Sequence, residues 1–290
     1  MEKIKLSKKL FKLKRDSTRF FLLPIFFTIL ISLIYSQLVF LSQGENYRST
    51  FLFEGYSEIF IILNILTITI ISTLSLFIFF SILKRDRELA IRVLISTFII
   101  GGMLSFLLFG KHIFVLLNLE FPFFLLVIAF VAYVGTYFAY LAFIDALSHK
   151  ARNTIFLICS GSLGSFIGVL LPISLVIGIS VFLSVVDLIL IRRKSVEKIV
   201  GEDEYENMIL KLAFSSNKWG IGIGDLTCFS MIVASSSMSY GVFVGALSLL
   251  LILAGSALSL IFLRKYGRIP GLPISTMLGV LPSILVIIGS

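Results

Sequence analysis

Nine apolar runs constrain this chain more than any other feature. They cover roughly residues 20–42, 59–83, 93–109, 122–147, 154–171, 173–191, 219–238, 241–263 and 271–288, mostly near the ~20 residues that a helix needs to cross a bilayer. In lipid, backbone N–H and C=O groups must be satisfied within the segment, so such runs fold as helices. Apolar residues make up 58% of the chain and charged residues 14%, and the mean hydropathy is +1.07. The chain therefore reads as an all-α integral membrane protein with nine transmembrane helices.

The charges set its orientation. Of the 25 Lys and Arg, 23 fall in the N-terminal tail and in the alternate connections 84–92, 150–152, 192–218 and 264–268; only Arg48 and Lys111 fall in the other set. The positive-inside rule then puts the N-terminus in the cytoplasm and Ser290 outside. The net charge of +9 is thus a topology signal and does not call for nucleic acid. The segment "KIKLSKKLFKLKR" (Lys3–Arg15) also reads as a short amphipathic helix on the anionic lipid of the inner leaflet. The first apolar run is too long for a cleaved signal peptide and has no small-residue cleavage site, so it is taken as an uncleaved span.

No soluble domain boundary interrupts residues 1–290. Residues 1–171 hold spans one to five behind the basic segment; residues 172–290 hold spans six to nine, with a cytoplasmic loop at 192–218. Residues 154–191 form one apolar block, too long for a single crossing, and Pro172 is its natural outer hairpin. The third span is short, and "HIFVLLNLEF" (His112–Phe121) either extends it or lies along the outer interface. The loop 192–218 is charged and ends in a short amphipathic segment. Gly164 with Gly168, and Gly241 with Gly245, have the spacing of close helix packing. Cys159 and Cys228 lie inside apolar runs, where they act as small hydrophobes.

A charge inside a span is costly and marks a candidate site. Thirteen of the sixteen acids lie in the tail or loops, leaving Asp145, Asp187 and Asp225. Asp145 is at the end of its span beside His149 and Lys150 and can reach the interface. Asp187 lies five residues before Arg192 and Asp225 seven after Lys218. At ~1.5 Å per helical residue, both sit on the order of 7–11 Å below the cytoplasmic boundary on successive helices.

Two carboxylates at one level of a low-dielectric site share a proton and titrate as a unit. One can accept a proton from water while its protonated partner donates to a carbonyl. The same pair can equally be an ion or proton relay or a paired structural contact, and depth leaves these readings open.

Other chemistries fail on residue type. His112 and His149, the two histidines, sit near span ends and outside any H-E-x-x-H pattern, so no metal site is implied. "SGSLGS" (Ser160–Ser165) lacks a base and reads as packing surface. "GIGIGD" fails as a dinucleotide fingerprint because Thr227 stands where the last glycine would fall. Alternating Gly220, Gly222 and Gly224 instead leave one side of the segment before Asp225 almost bare, which permits close approach of another backbone. In "YGRIPGLPISTMLG", Pro270, Gly271 and Pro273 disfavour regular helix at the cytoplasmic mouth of the last span. Non-helical backbone at that depth must be buried in protein or line a wet cavity.

These three elements resemble the presenilin and signal peptide peptidase family of GxGD intramembrane aspartyl proteases. "GIGDLTCFS" is similar to that family's G-x-G-D segment on the seventh helix, "SVVDL" to its aspartate-bearing sixth helix, and "PGLPIS" to the P-A-L motif opening the ninth. The resemblance covers about residues 172–290; residues 1–171 agree in span count alone. It implies that Asp187 and Asp225 are the catalytic pair, that Gly222 and Gly224 shape the approach to Asp225, and that Pro270, Gly271 and Leu272 form a loop beside the site.

Two residues depart from the family pattern. Val186 stands where Tyr is common, and Gly271 where the motif has Ala. Prepilin and preflagellin peptidases also carry G-x-G-D but lack the C-terminal proline motif. The activity implied is hydrolysis of peptide bonds in or near the transmembrane helix of another protein or a signal peptide, without metal or organic cofactor. Association with further copies of the chain is left open. The rival from another class is an ion or solute transporter, or a catalytically silent scaffold, although no inverted repeat with paired broken helices is visible.

Overall fold

The computed structural model describes residues 2–43, 85–118, 121–193, 211–216, 219–266 and 272–289, with residues 74, 78, 81 and 82 as isolated helical positions. Among the described residues the chain forms eight helices and one hairpin. In order these are α1 (Glu2–Gln43), α2 (Arg87–Leu116), α3 (Phe121–Phe143), α4 (His149–Leu170), α5 (Ile173–Arg193), β1 (Ala213–Ser216), β2 (Trp219–Gly222), α6 (Ile223–Tyr240), α7 (Val242–Tyr266) and α8 (Leu272–Gly289).

Six helical stretches are long and apolar enough to cross a membrane: Phe21–Ser42, Glu88–Leu116, Pro122–Phe143, His149–Leu170, Val242–Phe262 and Leu272–Gly289. Ile173–Ile189 is a shorter apolar helix. The chain is therefore a multi-pass membrane protein. Eight of the nine expected spans fall on described helices. The second, 59–83, lies almost entirely outside the described residues, as do most of the 192–218 loop, Pro270 and Gly271.

Four boundaries differ from expectation. The basic segment is not a separate helix, because α1 runs unbroken from Glu2 to Gln43; nothing between Lys3 and Phe21 breaks a helix. The third span is longer than expected. The Asp86 carboxylate accepts the Leu89 N–H at 3.0 Å and caps a 30-residue helix that carries on to Leu116. The fourth span stops at Phe143, and Asp145, at φ +56°, turns the chain and pairs with Lys211 at 2.9 Å.

The largest difference is at 219–222, expected as the start of a helix. Trp219–Gly222 is instead a strand paired antiparallel with Ala213–Ser216, where the expected amphipathic segment ends. Phe214 faces Ile221 and Ala213 faces Gly222. The Ile223 N–H reaches the Leu212 carbonyl at 3.3 Å, so pairing continues to the first residue of α6.

Helix α6 is the central element. Leu226 and every residue from Cys228 to Ser237 are buried, and α1, α4, α5, α7 and α8 all pack on it. Glycine lets α4 approach it. A Cβ on Gly164 would lie 2.3 Å from the Thr227 carbonyl oxygen, and one on Gly168 2.3 Å from that of Met231, so only a bare backbone fits either crossing. The second glycine pair divides its roles: Gly245 packs on Ser237, whereas Gly241 takes φ +88° at the α6–α7 junction.

Hydroxyls and amides finish the packing. Ser32 donates to the Ser230 carbonyl at 2.5 Å, and the Gln37 amide donates to Ser237 at 2.7 Å, which ties α1 to α6. Interhelical bonds of this kind contribute about 0.6 kcal/mol each in membrane helices. Apolar Ile29, Leu226, Phe229, Ile232 and Ile252 fill the space around them.

Candidate active site

Asp225 is the third residue of α6, in a helix whose N-cap is Gly222. The first N–H groups of a helix have no partner within it, and an acid at this position reaches back to the N-cap amide. The Gly222 N–H lies within hydrogen-bonding reach of the Asp225 carboxylate. The seventh span's strand-to-helix switch therefore fixes the acid at a helix N-terminus, where the dipole favours negative charge.

The three glycines before Asp225 do different things. All have ordinary backbone angles, since Gly241 alone among described glycines has positive φ. A Cβ on Gly220 would meet the Ala213 Cβ at 3.3 Å, so Gly220 serves the hairpin. A Cβ on Gly222 would stand 3.5 Å from the Asp225 carboxylate; glycine leaves that side of the acid uncovered. Gly224 is exposed, and an added Cβ there would meet nothing within 4 Å.

Asp187 projects from α5, which packs chiefly on α6 and α8. It is half-buried, and its charge is felt at Asp225. The Leu272 N–H lies within reach of Asp187. Leu272 is buried and is the first residue of α8, so its amide lacks a helical acceptor and is available to a carboxylate. The depth count from helical rise does not hold for residues 219–222, which are extended, yet the helices that carry the two acids pack on each other.

Of the residues singled out in the sequence, Asp187, Asp225, Gly222 and Leu272 converge. Gly224 borders the same helix terminus on its open side. Pro270 and Gly271 lie outside the described residues, and Val186 is half-buried beside Asp187. Among the described residues no group of three or more His, Cys, Asp or Glu is placed to hold a metal ion. His112 bonds Ser42 at 2.6 Å and His149 bonds Arg152 at 3.0 Å.

Two residues beside the acids had no signal in the sequence. Ser184, one turn before Asp187, and Thr276, one turn after Leu272, are buried and pair hydroxyl to hydroxyl at 2.5 Å. Cys228, one turn after Asp225, points its Sγ at Ser180 on α5 at 3.9 Å.

The arrangement supplies two carboxyls on helices packed together, a backbone N–H facing each, and an uncovered flank. That is sufficient for one acid to take a proton from water while the other polarises a carbonyl. No protein-family model matches the chain, and no curated protein sequence matches it. Among solved structures it is similar to that of a presenilin family intramembrane aspartate protease, at 17% identity and a TM-score of 0.57, over 94% of this chain and 99% of the other. Across nearly its whole length, the chain has the fold of that presenilin-family structure.

Proposed function

We propose that this chain is a GxGD-type intramembrane aspartyl protease, with Asp187 and Asp225 as its catalytic pair. The observation that supports this most is the fold shared with a presenilin-family protease, in which the two acids stand on helices packed on each other and on α8. In the reaction one carboxylate takes a proton from water as its oxygen attacks the substrate carbonyl carbon. The protonated partner donates to the carbonyl oxygen, giving a tetrahedral diol. Collapse breaks the C–N bond, the nitrogen takes a proton, and a carboxyl and an amine leave. The acids can exchange roles between turnovers.

The substrate is a transmembrane helix of another protein or a signal peptide, unwound locally before it is cut. Among the described residues both strands of the hairpin keep one unpaired edge, and an extended backbone can pair there before Asp225. Gly222 and Gly224 give it room, and residues 270–272 border the other acid. The distribution of Lys and Arg in the sequence supports a site toward the cytoplasmic side of a cellular or endomembrane bilayer. No metal or cofactor takes part.

The test is purified protein with a single-span peptide in water enriched in ¹⁸O. Internal cleavage should yield a new C-terminus carrying one ¹⁸O, and a hydroxyl-bearing peptide isostere should block it. Absence of cleavage by folded protein, with ion flux in liposomes that depends on both acids, would favour a transporter instead.

A further inference from the structure

The pair Ser184–Thr276 lies one turn from Asp187 on α5 and one turn from Leu272 on α8. Helix α5 exposes Phe182, Val185, Leu188 and Ile189 to its surroundings and rests chiefly on α6 and α8. Few contacts therefore decide where Asp187 stands. Two of them form successive rungs between α5 and α8. One is the Leu272 N–H on Asp187. The other is the hydroxyl pair, three residues away on α5 and four on α8, which is one turn on each helix.

The hydroxyl rung is bonded on both sides. Thr276 Oγ1 is 2.8 Å from the Leu272 carbonyl, and Ser184 Oγ is 2.8 Å from the Ser180 carbonyl. Each hydroxyl has one hydrogen, so one of them donates to a carbonyl of its own helix and the other donates across the gap. Either choice leaves the two helices joined. Both side chains are almost wholly buried, so water cannot readily replace a lost partner.

We infer that Ser184 and Thr276 are positioning residues, whose hydroxyl pair locks the first turn of α8 onto α5 and thereby holds the Leu272 amide on Asp187. The inference rests on the proposed function for its kinetic consequence, but the coupling itself does not need proteolysis. Misplacing a reacting group by ~1 Å can cost on the order of 10²-fold in rate. Loss of one rung, with the other kept, is expected to cost about tenfold.

The experiment compares Ser184→Ala, Thr276→Val, their double variant and Thr276→Ser. Each single loss should lower kcat about tenfold while KM stays within about twofold. The double variant should be no slower than the slower single, because both remove one contact, and Thr276→Ser should recover most of the rate. Unchanged kcat, multiplying losses, or Thr276→Ser as slow as Thr276→Val would overturn the inference. The second readout is the infrared carboxyl band of Asp187, isolated by subtracting the Asp187→Asn spectrum. Thr276→Val and Ser184→Ala should shift it, and an unmoved band overturns the inference whatever the activity. Ser184→Ala removes a single oxygen and so keeps a folded chain for both readouts. If Asp187→Ala and Asp225→Ala cleave as well as wild type, the protease reading falls and the infrared result still decides the coupling.

Discussion

At Gly164 an added Cβ would lie 2.3 Å from a backbone oxygen of α6, whereas at Gly224 it would meet nothing within 4 Å. The first glycine is a packing requirement and the second an open flank, so substitution separates them. Gly164→Ala gains helix propensity worth ~1 kcal/mol, but the clash is with backbone and cannot be relieved by a rotamer. The net expectation is destabilisation of about 1–3 kcal/mol in thermal denaturation in detergent. Gly224→Val should leave the melting temperature unchanged and raise KM for a single-span substrate, because the side chain fills the approach to Asp225. A large drop in stability for Gly224→Val would contradict that assignment. The acids themselves were legible in the sequence because a charge in a span is rare. Ser184 and Thr276 were not, since buried hydroxyls such as Ser32, Ser36, Ser230 and Ser236 recur throughout the bundle and have no spacing that marks a pair beside an acid.

Bilayer length made the helices readable as elements, and it also concealed the hairpin. A strand of four residues inside an apolar run has the same composition as the start of a span, and hydropathy does not distinguish them. The sequence cue was local: "AFSS" and "WGIG" are separated by Asn217 and Lys218 alone, the separation of a two-residue hairpin connection. The start of α2 and the end of α3 were misread because hydropathy registers neither Asp86 as a cap nor Asp145 as a turn residue at the end of its run. Because Ile223 donates to Leu212, alternation along β2 gives the Ile221 N–H to the ladder as well. Ile221→Pro should break the pairing and lower cleavage while the buried helix α6 remains folded by circular dichroism. Cleavage at the wild-type rate would mean that the hairpin is not part of the approach.

Across the whole molecule, α6 stands at the centre and α3 and α5 at the edge, an arrangement that no single apolar run specifies. What the sequence did convey was a multi-pass helical architecture, through its apolar lengths. The nine spans expected from the sequence would put the two termini on opposite faces. Cysteines placed next to Met1 and at Ser290 should therefore be labelled by an impermeant reagent from opposite sides of the bilayer, and labelling from one side would contradict the count. The measurement closest to the central claim is cleavage of a single-span substrate by wild type, Asp187→Ala and Asp225→Ala, each shown to be folded by its melting transition. The account predicts specific internal cleavage by the wild type and a loss on the order of 10³-fold or more in each variant. Equal cleavage by all three would contradict it.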